Sequence, residues 1–525
     1  MDGTQARAET MNGAESLVQT LLDSGVDTCF ANPGTSEMHF VAALDRIPGM
    51  RCVLGLFEGV VTGAADGYAR MAEKPACTLL HCGPGLANAL SNIHNARRAR
   101  SPMVNIVGDH ATYHRQWDAP LTADVEGVAR PFSDWVRYGQ SSRGIAADGA
   151  AAVQAARTAP GQIATLILPA DTAWEPSAGP AKPLPVPPRV MPAPQQLETV
   201  ARVLRAKGAK VLLLLAGPAL TEAGQRAAWR IAAATGCGVL AQMSNARTAR
   251  GQGRYPVERV PYPVDMALAK LAGYEACILV GAKHPVAFFA YPGKPGSLLP
   301  EGCAVHVLAR PDQDVLGAIE ALAEDVAKGV APPAPNGGER PRAPGGAITP
   351  EGIAATVGAL MPEHTIVVDE GVTTGRGFFA ATHTAPPHDW LQLTGGSIGE
   401  GLPLVLGASI ACPDRKVIGL QADGSGMYTV QALWTMARER CDVCVVIFSN
   451  RKYAILRHEL MNVGANPGRT ALDMLDLGNP DIDWVKVAEG MGVEGALAPD
   501  LDALADLLRG AMGRKGPFLI ELLVP

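Results

Sequence analysis

The sequence predicts three consecutive α/β domains, each a doubly wound fold on a parallel sheet. Three observations lead there. Short apolar runs alternate with segments of helical periodicity along the whole chain. The strand-like runs are apolar on both faces, as in KVLLLLAGP and VCVVIFSN, which is how parallel strands covered by helices read. Two Pro-rich stretches, 176–194 and 331–346, can hold neither a helix nor a central strand, and they divide the 525 residues into 1–175, 195–330 and 347–525.

In the first third, CFANPG, ACTLLH and MVNIVGD are the strand runs, each ending in turn or polar residues, with helical patterns such as EGVVTGAADGYARMAE between them. The middle third carries KVLLLLAGP, CGVLAQ, EACILVGA and AVHVLA, and the last carries HTIVVDEG, KVIGLQADG, VCVVIFSN and PFLIELLVP. No tandem repeat is evident. Hydrophobic residues at 47% against 18% charged residues describe a packed globular chain. A net charge of −6 without a basic run excludes nucleic acid as an expected partner. With no apolar leader and no long uninterrupted apolar window, no membrane association is expected, and a cytoplasmic location is. The ten cysteines form no clusters beyond Cys441 and Cys444, so reduced core thiols are expected.

Chemistry concentrates where VIGLQAD ends in Asp423 and, 27 residues later, VCVVIFSN ends in Asn450. The intervening MYTVQALWTMARER has helical spacing, giving a strand–helix–strand crossover whose parallel strands finish at one sheet edge. Ligands of open α/β sheets bind at that edge. A carboxylate and an amide oxygen there, with Gly424 admitting close backbone approach, suit a hard Mg²⁺ ion carrying a diphosphate. In the first third, Glu58 stands at a strand-to-helix turn in an apolar segment, LGLFEGVVTGAADGYAR. Alone it reads first as a helix N-terminal glutamate favoured by the dipole.

Taken together, ANPGTSE (31–37), FEGVVTGAADGYAR (57–70), GPGLAN (83–88), GGSIGEGLP (395–403) and DGSGMYTVQALW (423–434) resemble the thiamine diphosphate (ThDP) enzymes that include acetolactate synthases and benzoylformate decarboxylases. The resemblance runs from about Met11 to Pro525 and implies a pyrimidine-binding first domain, a central domain and a diphosphate/Mg²⁺-binding third domain. It places Glu58 against the aminopyrimidine ring, in an apolar surround that raises a carboxyl pKa. Asp423, Asn450 and the Lys452 carbonyl take the metal-ligand positions. Asn88, Glu370, Val372, Thr373, Ser397, Gly424, Ser425 and Tyr428 fall among the cofactor-contacting positions, and Ile398 where a large apolar side chain supports the bent cofactor. His81 falls where the benzoylformate decarboxylases have an active-site acid–base histidine and Thr35 where a hydroxyl lies near the substrate carboxylate; a strand-end histidine bonded to main chain and ordinary turn chemistry are their bland alternatives. Leu121, Ile455, Leu456 and Glu459 would line the substrate pocket, with Glu459 either repelling a second anion or lying on a solvated helix face.

The implied reaction is decarboxylation of a 2-oxo acid through a C2 ylide and an enamine, which then takes up a proton or attacks an aldehyde or ketone acceptor. Decarboxylase-like and acetolactate-synthase-like outcomes both stand. GPGLAN looks more like a synthase and the C-terminal third more like a benzoylformate decarboxylase. Pro120-Leu121 replaces a Phe-Gln pair of the synthases, and VGAKHPVAFFAYPG (280–293) lacks their flavin loop, so no bound FAD is expected; a yellow protein would overturn this. Departures at Ala422, Arg451 and Ala454 bear on loop shape and leave Asn450 in place. The resemblance also implies sites shared across a subunit interface in a homodimer or homotetramer. A non-catalytic ThDP-binding partner protein is the alternative, against which Glu58 counts. An unrelated Mg²⁺–nucleotide protein would need GxxxxGK[ST] or a strand-linked GxGxxG, and neither appears. His110 and His114, four apart, have no evident third metal ligand.

Overall fold

A computed structural model describes residues 11–524. The first domain holds a six-stranded parallel sheet of β1 (Thr28–Asn32), β2 (Arg51–Leu54), β3 (Ala76–Leu80), β4 (Met103–Asp109), β5 (Trp135–Tyr138) and β6 (Ile163–Pro169), in the spatial order 2-1-3-4-6-5. The central sheet uses β7 (Val211–Leu215), β8 (Gly238–Ala241), β10 (Glu258–Arg259), β11 (Ala276–Val280) and β12 (Ala304–Ala309), ordered β10-β8-β7-β11-β12. The third sheet contains β13 (Ile366–Glu370), β14 (His388–Gln392), β15 (Val417–Ala422), β16 (Val443–Ser449), β17 (Glu494–Ala498) and β18 (Phe518–Leu523). Its order, β14-β13-β15-β16-β18-β17, repeats that of the first sheet strand for strand.

Two features go beyond three separate parallel units. β9 (Thr248–Arg250) belongs to the middle third of the chain but pairs antiparallel with β14 as an edge strand of the third sheet. The first and third domains also share one apolar core, which joins Val60, Val61 and Leu86 to Leu402, Leu404, Val405 and Trp484. At its centre the Glu58–Ala72 helix crosses the Gly401–Ala411 helix, each following the second strand of its own sheet. The second helix, GLPLVLGASIA, is apolar all round and almost wholly buried, as a helix with no solvent face must be. Gly63 and Gly407 permit the approach: a Cβ on Gly407 would overlap the Ala64 carbonyl, and one on Gly63 would press into Pro403.

Arg70 and Asn95 are held by hydrogen bonds across this junction. The Arg70 guanidinium donates to Asp66 Oδ2 and Glu400 Oε1, each at 2.6 Å, and to the Gln392 carbonyl at 2.7 Å. Asn95 holds the Ser397 peptide from both sides, donating to its carbonyl at 2.7 Å and accepting its N–H at 3.2 Å. Residues 176–193 form no helix or strand; the Ala181 N–H donates to Thr20 Oγ1 of the first domain, Arg189 reaches the Pro311 carbonyl of the central one, and Pro194 opens the Pro194–Lys207 helix. Among the described residues no helix is long and apolar enough to cross a membrane, and all ten cysteines are unpaired.

Candidate active site

The first-domain half lies at the carboxyl ends of β1 and β3, the point where the strand order reverses and ligands of such sheets bind. The chain leaves β1 through Pro33-Gly34 into a short turn, Thr35–Glu37, and leaves β3 at His81, which opens the Cys82–Ala99 helix. These turns meet. His81 Nδ1 lies 2.8 Å from Glu37 Oε2, which also accepts the Gly34 N–H at 2.7 Å. Glu37 is wholly buried, and burial pushes its carboxyl up while His81 opposes the rise. With Nδ1–H donated to this carboxylate, Nε2 is the free nitrogen of His81. His81 is thus bonded to a side chain, not to main chain. Glu37 escaped the sequence reading because a Glu three residues after a turn glycine looks like a helix cap.

Glu58 begins the helix after β2 and is buried, and Asn88 Nδ2 donates to its Oε2 at 3.0 Å. Gly85, one turn along the His81-capped helix, leaves room for both groups: a Cβ there would stand 2.8 Å from Glu58 Oε1 and 3.3 Å from the His81 Cβ. Glu58 and the His81 Cβ thus flank Gly85, Asn88 is bonded to Glu58, and Thr35 is exposed on the turn that ends in Glu37. Leu121 is half-buried on the loop after β4, whose Ala123 packs over Gly83 at the start of the same helix. His110 and His114 have ring centroids 5.7 Å apart. They find no third ligand: among the described residues, the one group of three potential ligands is Glu37, His81 and Cys82.

The third-domain half occupies the equivalent edge. Asp423 follows β15 directly and is buried; its Oδ1 accepts the Gly424 N–H at 2.8 Å and its Oδ2 the Arg451 N–H at 2.7 Å. Burial pushes its carboxyl up, and these N–H groups oppose the rise. Asn450 follows β16, and its Oδ1 accepts the Lys452 N–H at 3.1 Å. Arg451, between them, is left-handed at φ 56°, a strained conformation for a residue with a Cβ and one that clusters at functional loops. The Arg451 carbonyl and Tyr453 N–H bridge to residues 477 and 475, which turns the intervening Lys452 carbonyl to the other side. A carboxylate, an amide oxygen and a carbonyl are the hard donors that fit Mg²⁺.

The remaining third-domain positions divide. Ser425 is buried, accepts from Gln421 Nε2 at 2.6 Å and donates to the Ala422 carbonyl at 3.2 Å. Tyr428 is 53% exposed. Gly424 faces the Tyr453 ring, 2.5 Å from where its Cβ would lie, so its smallness is required by packing. The Glu370 carboxylate is taken up within the fold: it is buried and accepts the N–H groups of Gly399 (2.8 Å), Glu400 (3.3 Å) and Gly401 (2.8 Å) and the Gln421 amide (2.8 Å). It straps down the turn carrying Ser397 and Ile398, both half-buried. Any ligand contact from this segment falls to the half-buried loop of Val372 and Thr373, where Val372 is left-handed at φ 44°. Ile455, Leu456 and Glu459 lie on the Ala454–Asn462 helix, none of whose residues is buried. Glu459 does not face open solvent alone, since the Tyr262 hydroxyl of the central domain lies 3.3 Å from its Oε1.

Replacing Asp423 tests the metal reading of this edge. Asp423→Ala should raise the Mg²⁺ concentration needed to retain ThDP by at least about 100-fold, because even outer-sphere partners of a metal site are worth 10–100-fold. Calorimetric titration of ThDP against Mg²⁺ measures it, and an unshifted curve would remove Asp423 from the site.

Family profiles match both halves. One described as "Thiamine pyrophosphate enzyme, N-terminal TPP binding domain" covers residues 11–129, and "Thiamine pyrophosphate enzyme, C-terminal TPP binding domain" covers 374–522. The chain is 52% identical to a Mycobacterium tuberculosis protein named "Putative acetolactate synthase large subunit IlvX", across 98% of this chain and 99% of that one. It is 29% identical to a benzoylformate decarboxylase of Pseudomonas aeruginosa, across 95% and 96% of the two chains. A solved structure of the ThDP-dependent 4-hydroxybenzoylformate decarboxylase of Rhodococcus jostii RHA1 superposes with a TM-score of 0.85 at 26% identity, covering 98% of this chain and 99% of that one.

Proposed function

The chain belongs to the thiamine pyrophosphate enzyme family, and we propose that within it the protein decarboxylates a 2-oxo acid and either releases an aldehyde or joins the remaining fragment to a second carbonyl. The observation that carries this reading is Glu58: a buried carboxylate at a helix start, with one oxygen fixed by Asn88 and the other beside a glycine gap shared with His81. A protein that only bound the cofactor would have no use for a carboxylate so placed, which disfavours a regulatory role.

Asp423, Asn450 and the Lys452 carbonyl would hold Mg²⁺ and through it the diphosphate, with Ser425, Tyr428 and the Val372–Thr373 backbone around it. Glu58 would meet the aminopyrimidine. When bound, ThDP supplies the electron sink that lets a 2-oxo acid lose CO₂. The chain's own residues do the rest. Glu58 holds or gives up a proton at its free Oε1. His81 moves one at Nε2 while Glu37 fixes its tautomer. The two halves sit on different domains and leave Tyr428 and the Ala454–Asn462 helix uncovered in one chain, in keeping with a site completed by a second copy. No flavin is assigned.

Turnover with ThDP and Mg²⁺ on pyruvate and on benzoylformate, with CO₂ and organic products quantified, tests the reading. CO₂ with benzaldehyde marks a decarboxylase, and CO₂ with acetolactate marks a synthase. No CO₂ from any 2-oxo acid, with ThDP bound, would sink it. His81→Ala should lower kcat by roughly 10²-fold and leave ThDP affinity within a few-fold; an unchanged kcat and product ratio would remove His81 from the chemistry.

A further inference from the structure

We propose that Phe288, on the central-domain loop after β11, is a wall of the substrate pocket and selects 2-oxo acids with an aryl or bulky apolar side chain over pyruvate. The inference rests on the reading that this site accepts a 2-oxo acid.

The loop carries Val286, Phe288 and Phe289 with exposures of 55%, 41% and 55%. Neighbouring apolar side chains left open on one loop mark a binding surface more often than chance. The loop is well fixed: the Ala287 N–H donates to the Gly296 carbonyl at 2.9 Å and the Leu298 N–H to the Pro285 carbonyl at 3.1 Å. The Phe288 ring packs on Tyr262 at 5.5 Å and edge-on to Phe289 at 4.9 Å, the offset geometries that aromatic rings favour.

Its position in the fold gives the cluster its meaning. The tip of the Phe288 ring lies against Gly396, which is left-handed at φ 81°, where any Cβ would overlap it. Gly396 is two residues before Ile398, on the turn that Glu370 and Asn95 fix in place. On the other side, Tyr262 reaches Glu459 on the helix that also carries Ile455 and Leu456. Phe288 thus spans from the cofactor-supporting turn to the pocket entrance, leaving two-fifths of its surface open. An aryl side chain offers this ring a face to pack against, whereas a methyl group offers none.

The test uses mandelate and lactate, 2-hydroxy acids that carry the side chains of benzoylformate and pyruvate but have no 2-oxo group to react. Their binding to the full-length protein loaded with ThDP and Mg²⁺ is measured by calorimetry, for the natural chain, Phe288→Ala and Phe288→Leu. The natural chain should bind mandelate roughly tenfold or more tighter than lactate, since apolar pockets discriminate side chains by that order. Phe288→Ala should bring the ratio to about threefold or less, and Phe288→Leu, which keeps apolar bulk without reaching further toward Gly396, should retain most of it. Equal binding in the natural chain, an unchanged ratio in Phe288→Ala, or a Phe288→Ala protein that sediments as a smaller species would overturn the inference, the last by making Phe288 a subunit contact. If no 2-oxo acid yields CO₂ but the mandelate preference still depends on Phe288, the pocket wall stands and the catalytic reading falls.

Discussion

Glu58→Gln is expected to lower kcat by roughly 10²–10⁴-fold, the span measured for removing a positioned acid–base group, while ThDP affinity changes by no more than a few-fold. The amide is nearly isosteric, but it cannot exchange a proton with a ring nitrogen. Asn88 would still donate to one oxygen, so the side chain should stay in its pocket. The helix start is fixed by burial of Val60 and Val61 on the shared core, so the fold should not respond. Single-turnover CO₂ release with parallel ThDP titration separates the effects. If Glu58→Gln keeps more than a tenth of the natural rate, Glu58 is a structural helix-start residue and the catalytic reading loses its chief support.

Arg70→Met should destabilise the protein by about 3–5 kcal/mol, the usual consequence of removing one member of a buried ion network. Arg70, Asp66 and Glu400 have side chains at most 1% exposed, and the guanidinium is the one cation bonded to both carboxylates. Without it two carboxylates stay buried uncompensated. The triple variant Arg70→Met, Asp66→Asn, Glu400→Gln should recover most of the loss, because it leaves no unpaired charge. A pH dependence follows. Burial pushes the Glu400 carboxyl well above its ordinary value of 4.5, with Asp66 adding to the rise and Arg70 opposing it. A carboxyl raised on folding stabilises the fold fully below its unfolded pKa, and that contribution is lost as pH rises through the folded value. The unfolding free energy should therefore fall from about pH 4.5 upward, and more steeply in Arg70→Met. Urea denaturation across that range checks the sign, and a flat profile would show Glu400 fully ionised throughout.

What was legible in the sequence followed from local pattern. The apolar runs ending in Asp423 and Asn450 do lie as neighbouring parallel strands, paired from Val417 with Val443 to Ala422 with Phe448. Glu58 is at the strand-to-helix turn that its apolar flanks suggested. What escaped depended on pairings distant in the chain. Glu37 has meaning only through His81, 44 residues later, and that proximity comes from β1 and β3 being neighbours. Glu370 falls in a segment that resembles a diphosphate-contacting region, and the N–H groups that satisfy its carboxylate lie 29 to 31 residues further on. The segment MYTVQALWTMARER had helical spacing throughout but breaks into Met427–Thr429 and Ala432–Arg438, since periodicity does not reveal where a turn tightens. The common strand order of the first and third sheets left no trace in residue type, because a doubly wound topology specifies apolar strands and leaves their identity free.

The edge strand β9 limits how far this protein can be treated as interchangeable cassettes. Its three residues leave the central unit, cover β14 and bring Arg250 to the Phe379 carbonyl, while Gly251 sits close against Pro386. A fragment cut within the second Pro-rich stretch would bare the hydrogen-bonding row of β14, an open invitation to pair with another chain. Recombining the cofactor-binding units of such proteins therefore has to carry the 248–250 strand with the third domain, although it is encoded about a hundred residues upstream of that domain.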